Sequence, residues 1–156
     1  MAAYFISSVK SNWLQSNVDF SSDGKKDKIT GHNTDIDGFE LAIKDANYNV
    51  EGKRVLILGA GGVVPSIIFA LYKMKVLSVT ISNRTKSKAE NLKSLFNDLE
   101  IADWNETSDF EMIINATSIG LKKEDRLNLD FSKFQNCEFF YDVIYNPKET
   151  NFIKDG

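Results

Sequence analysis

The run Arg54-Val55-Leu56-Ile57-Leu58 leads straight into Gly59-Ala60-Gly61-Gly62, and Val63 to Lys75 then reads as a helix. A continuous apolar run closed by glycines is the pattern of a parallel strand covered on both faces. Pro65 does not interrupt the helix, because amides in a first turn have no intrahelical partner. This strand, tight turn and helix constrain the chain to an α/β architecture, and the rest of the sequence continues the alternation. Leu77 to Ser82 reads as a second strand and Lys86 to Asn97 as a second helix, with Ala89, Leu92, Leu95 and Phe96 on its apolar side. Glu100 to Trp104, Met112 to Asn115 and Phe139 to Val143 are three further short strands. The expected fold is a Rossmann-like open parallel sheet with helices on both faces and right-handed crossovers.

Ahead of that unit, Ile36, Phe39, Ile43 and Ala46 recur at spacings of three, four and three, which predicts a helix with one apolar stripe. Thr34 or Asp35 is the expected cap, and Asn47 to Gly52 ends it. Residues 1–30 show no clear periodicity, and Ser21 to Asp27 is a polar turn in composition. The division expected is an irregular extension over 1–30, a linking helix over 31–51 and a nucleotide-binding domain over 52–156.

In the fingerprint G-x-G-x-x-G/A the first glycine makes the turn and the second lets backbone approach a pyrophosphate. The third position lets helix and strand pack closely. Gly59 and Gly61 match, and Val64 stands in the third place. A glycine motif alone is weak, but here a strand and a helix flank it as dinucleotide binding requires. An NAD site carries an acid at the end of the second strand to hold the ribose hydroxyls, whereas this chain has Asn83-Arg84-Thr85. A guanidinium suits a phosphate, so NADP is the expected cofactor, with Lys88 one turn on as a second positive charge. The competing reading of Arg84 and Lys88 is a solvated basic helix start.

Asn115-Ala116-Thr117-Ser118-Ile119-Gly120 follows a strand, at the end of the sheet where such folds bind ligands. Its small polar residues either line the nicotinamide side of a crevice or satisfy loop amides. Asp35 reads first as a helix cap. His32, the single histidine, has nothing in sequence to orient it as a base. With one cysteine, Cys137, there is no internal disulfide and no plausible zinc cluster, which suits a reducing cytoplasm. A net charge of −3 and scattered lysines speak against a nucleic-acid surface. No stretch reads as a signal peptide or a membrane span.

These motifs, taken in order, resemble the shikimate dehydrogenases. The resemblance rests on Asn33-Thr34-Asp35 with Gly38-Phe39, Gly59 to Gly62, Asn83-Arg84-Thr85, Asn115 to Gly120, and Tyr141-Asp142-Val143-Ile144-Tyr145-Asn146-Pro147. It implies NADP-dependent, reversible reduction of 3-dehydroshikimate to shikimate on the route to aromatic amino acids. By the same resemblance Asp35 would be half of a lysine and aspartate pair at the reacting hydroxyl. Gly59, Ala60, Gly61, Gly62 and Val63 would cradle the pyrophosphate, and Asn83, Arg84, Thr85 and Lys88 would hold the adenosine ribose phosphate. Ala116, Thr117 and Val143 would lie near the nicotinamide, and Tyr145 would face substrate. Asn17 is a weak match to the family's substrate asparagine. The family's serine pair and its Asn-Val-Thr-x-Pro-x-Lys motif are not found here, nor is its final helix with a Gln-Ala pair, so the expectation is a fragment or a reduced relative. The open alternatives are a stand-alone NADP-binding module, a quinate/shikimate dehydrogenase-like domain, and the NADP domain of a glutamyl-tRNA reductase. Asn-Thr-Asp and Tyr-Asn-Pro disfavour the last. Oligomeric state is not fixed by the sequence; a homodimer is compatible with it.

Overall fold

A computed structural model describes residues 33–106 and 109–156. Five parallel strands form one sheet: β1 (Arg54–Leu58), β2 (Ser78–Ser82), β3 (Glu100–Ala102), β4 (Met112–Asn115) and β5 (Phe139–Asp142), in the spatial order β3-β2-β1-β4-β5. The order reverses between β1 and β4. All five strands lie where the apolar runs place them. β3 is shorter than the sequence suggests, because Asp103 N–H donates to the Glu106 carboxylate (2.8 Å) and the Trp104 indole turns away to the Asn128 carbonyl (2.7 Å).

Side chains alternate across the sheet. Val55, Ile57, Val79, Ile81, Met112 and Ile114 face one side, where α1 (Thr34–Asp45), α2 (Val64–Lys73) and α3 (Lys86–Lys93) supply Ile43, Phe39, Ile67, Leu71, Ala89 and Leu92 to the main core. α3 is shorter than its apolar pattern, yet the burial survives. Beyond Ser94 the chain tightens, with Leu95 N–H bonding the Leu92 carbonyl, and Phe96 is still 2% exposed. Leu56, Leu58 and Ile113 face the other side, covered by Phe110, Leu127, Leu129, Phe134 and Phe152. Helices lie on both faces but unequally: among the described residues the second face has only the short α4 (Asn151–Asp155), a 3-10 turn at Phe131–Lys133 and irregular chain.

The cap of α1 corrects the sequence expectation. Asn33, not Thr34 or Asp35, precedes the helix in extended conformation, and its side-chain oxygen accepts the Asp35 N–H at 3.0 Å. Its amide group donates to Ser66 Oγ at 3.0 Å, which ties the start of α1 to the first turn of α2. Asn33 can serve both helices because its amide carries an acceptor and donors on separate atoms, whereas Thr has both on one oxygen and an ionised Asp only accepts. Among the described residues no helix is long and apolar enough to cross a membrane, and no His, Cys, Asp and Glu group could hold a metal ion.

Candidate functional site

The carboxyl ends of β1 and β4 meet at the point where strand order reverses, which is where open parallel sheets leave a crevice. Gly59 continues the ladder by donating to the Ser82 carbonyl at 2.8 Å, and Ala116 donates to Leu58 at 2.8 Å. At Gly59 the backbone has φ +109°, and a Cβ there would stand 2.7 Å from the Ala116 carbonyl oxygen. Glycine is therefore required by the sheet itself, whatever the crevice holds. Gly61 and Gly62 are different. Both are exposed, and a Cβ at Gly62 would meet nothing within 4 Å.

Helix α2 starts without a side-chain cap and without an acid in its first turn. The amides of Ala60, Gly61, Gly62 and Val63 have no acceptor among the described residues. Such amides at the positive end of a helix macrodipole form an anion-binding geometry. Ala60 and Val63 pack partly into the main core, and Val64 is fully buried in it. The valine at the third fingerprint position thus does its packing task.

At the end of β2, Asn83 donates its amide to the Thr85 carbonyl at 2.7 Å and so shapes the turn. Arg84, Thr85, Lys86 and Lys88 are exposed around the start of α3. Thr85 occupies the cap position without making the capping bond, and the first turn has no acid. Cations at a helix N-terminus oppose the macrodipole, so this placement does not serve the helix. Among the described residues Arg84 and Lys88 have no ion-pair partner, a condition they share with Lys86 beside them and with other surface lysines such as Lys44 and Lys93, whereas Lys53, Arg54, Lys73, Lys75 and Arg126 are paired. What sets Arg84, Lys86 and Lys88 apart is their place at the start of α3 directly after β2.

At the end of β4, Asn115 is fully buried and its side chain is consumed by the protein. It donates to both Asp142 carboxylate oxygens (3.1 Å each) and to the Ile119 carbonyl (3.1 Å), and accepts from the Thr117 N–H (3.1 Å) and hydroxyl (2.8 Å). Of the two readings of this loop, Asn115 therefore takes the structural one. Ala116 remains opposite Gly59, with Thr117 half-buried beside it. The Val143 amide is held by the Asn115 carbonyl at 3.0 Å. Tyr145 is 90% exposed at the same end. Two residues given no role in the sequence reading belong to this cluster. Asp142, paired in register with Asn115, accepts the Thr150 hydroxyl at 2.6 Å. Adjacent strands ending in Asn and Asp are the signal that could have found the first.

Asp35 lies exposed in the first turn of α1, at the same end of the sheet as the glycine turn because Asn33 and Ser66 join the two helix starts. Among the described residues its carboxylate makes no hydrogen bond. Asn17 and His32 lie outside the described residues. A groove of about 540 Å³ lined by Thr80, Glu100, Glu106, Asp109 and Lys133 lies elsewhere, reaching the amino ends of β1 and β2 at Arg54 and Ser78.

Residues 40–124 match the family model of shikimate/quinate 5-dehydrogenase. The chain belongs to that family. A shikimate dehydrogenase (NADP(+)) of Pelagibacter ubique is 56% identical over 132 residues, covering 85% of this chain and 50% of the relative. Among solved structures, shikimate dehydrogenase from Aquifex aeolicus superposes with a TM-score of 0.74 at 36% identity, covering 88% of this chain and 49% of that one. The shikimate 5-dehydrogenase of Thermus thermophilus, solved with NADP(H) and shikimate, gives a TM-score of 0.71 at 29% identity over 82% of this chain and 48% of its own. The chain spans about half the length of the shikimate dehydrogenases it matches.

Proposed function

We propose that this chain holds NADP at the carboxyl end of its sheet and serves the reversible reduction of 3-dehydroshikimate to shikimate. The observation that carries the reading is the pair Arg84 and Lys88, two exposed cations without ion partners among the described residues, at an uncapped helix start directly after β2. Arg84 offers a fork of donors to a 2′-phosphate and Lys88 a second charge, while Asn83 and Thr85 fix the turn that presents them. Amides from Ala60 to Val63, without acceptors among the described residues, fit a pyrophosphate, and Gly61 and Gly62 carry no side chain to keep it away.

When bound, the reduced cofactor supplies the hydride at its nicotinamide ring. Ala116, Thr117 and Val143 line that half of the crevice in this reading. Asp35 is the proposed member of the proton-handling pair at the substrate hydroxyl, and exposed Tyr145 faces substrate. Asn17 is proposed as a weaker substrate contact. The partners proposed are small molecules in a cytoplasmic setting, without nucleic acid, together with a second copy of the chain in a homodimer.

The test is to supply shikimate and NADP⁺ to the chain and follow reduced nicotinamide by absorbance. Formation above a blank, lost in Asp35→Asn, supports the reading. A second reading is a cofactor-binding module without turnover of its own. NADPH binding without turnover would select it. Turnover of quinate in place of shikimate would move the substrate assignment within the family.

A further inference from the structure

We infer that Asp142, acting through Asn115 and Thr150, is a positioning residue that sets the shape of the nicotinamide side of the crevice; this rests on the cofactor reading above. Its carboxylate sits at the end of β5 and accepts from four directions: twice from the Asn115 amide, from the Ile144 N–H at 2.9 Å, and from the Thr150 hydroxyl at 2.6 Å. Among the described residues it has no cation partner. The negative charge is held by directed donors, each of which it orients in turn.

The consequence travels in one direction. An ionised carboxylate only accepts, so the buried Asn115 must turn its NH₂ group towards Asp142 and its oxygen towards the following loop. That oxygen takes both the N–H and the hydroxyl of Thr117. With its proton committed there, Thr117 Oγ is left to accept the Ile119 N–H at 3.0 Å. Each link fixes the next from β5 to the loop 116–120, whose first residue stands against Gly59. Thr150 adds a packing contact as well: the loop closes at Gly120 with φ +123°, where a Cβ would meet Ile144 Cδ1 at 3.2 Å and Thr150 Cγ2 at 3.4 Å. None of the hydrogen bonds of this network reaches the Arg84 turn, which follows β2, two strands from β4 and three from β5. The network therefore governs one half of the crevice and not the other.

An amide at position 142 would set two NH₂ groups against each other and undo the order, whereas losing only the Thr150 hydroxyl removes, at constant volume, one donor to Asp142 and the acceptor that caps α4 at the Ile153 N–H (3.4 Å). The experiment measures binding of NADPH and of 2′,5′-ADP, which carries the adenosine half alone, to the wild-type chain, Asp142→Asn, Thr150→Val and Thr150→Ser. Expected are NADPH binding about tenfold weaker in Thr150→Val and weaker still in Asp142→Asn, 2′,5′-ADP binding unchanged, and recovery in Thr150→Ser. If Asp142→Asn does not fold, the Thr150 pair still decides. Unchanged NADPH binding in Thr150→Val, or equal loss of both ligands, overturns the inference. Wild-type chain that binds neither ligand overturns the cofactor reading and this inference with it. Wild type binding both ligands with no selective loss in the variants overturns the inference alone.

Discussion

The two ends of the sheet handle charge in opposite ways. At the amino ends of the strands, Lys53 pairs with Glu138 at 2.8 Å, and Arg54 grips Glu111 through its guanidinium and its backbone N–H, at 2.8–3.2 Å. Tyr48 donates to the Glu111 carbonyl and stacks on Phe139, with ring centroids 4.5 Å apart. Arg54 holds the Glu111 carboxyl below its usual range, while burial pushes the Tyr48 hydroxyl up and the Cys137 thiol up to about 11. At the carboxyl ends, Arg84 and Lys88 stand without ion partners among the described residues, above helices whose starts carry no acid. One end spends its charges on structure. The other leaves exposed cations and acceptor-free amides near two helix starts, an arrangement that makes sense for an anionic ligand.

The largest effect expected is at the glycine shared by both roles. Gly59→Ala forces a side chain onto the Ala116 backbone at positive φ and should cost about 2–4 kcal/mol by urea denaturation. Gly62→Ala, with open space around it, should cost under about 1 kcal/mol and act instead on pyrophosphate binding. Equal losses of stability would erase the distinction between the turn and its ligand-facing half.

Next come the two ends directly. Arg84→Ala should leave the folding free energy within about 0.5 kcal/mol and weaken NADPH about 10–100-fold by fluorescence titration. Lys88→Ala should weaken it about threefold, as an exposed point charge does. Glu111→Gln should do the reverse, lowering the melting temperature without changing NADPH affinity. Its pH dependence follows from the depressed folded-state value. The Glu111–Arg54 contribution is fully present above the ordinary carboxyl value of about 4.5 and is lost as pH falls through the lower folded value. Melting curves of the wild type and of Glu111→Gln should therefore converge on acidification below that value; a constant gap would contradict the assignment.

A smaller effect separates the ligand's charge from the protein's. The 2′-phosphate takes up a proton near pH 6, so the preference for NADPH over NADH should shrink as pH drops below about 6. A preference that stays flat through that range would place the selectivity in shape and not in charge.

The sheet was legible in the sequence because its strands are apolar runs and its glycine turn has a steric cause. The helical face was legible for the same reason, with Phe96 buried even where its helix had ended. The second face was not: Leu127, Leu129 and Phe134 sit on irregular chain, which leaves no period to read. Arg84 and Lys88 could be singled out because a cation after β2 replaces an expected acid. The roles of Asn33, Asp142 and Thr150 lie in contacts between segments 8 to 33 residues apart, which spacing along the chain does not reveal.

Parallel titration of the wild-type chain with NADPH and NADH tests the role proposed for Arg84 and Lys88 most directly. NADPH should bind at least about tenfold tighter, with the gap closing in Arg84→Ala. Equal affinity for the two cofactors in the wild-type chain would contradict it.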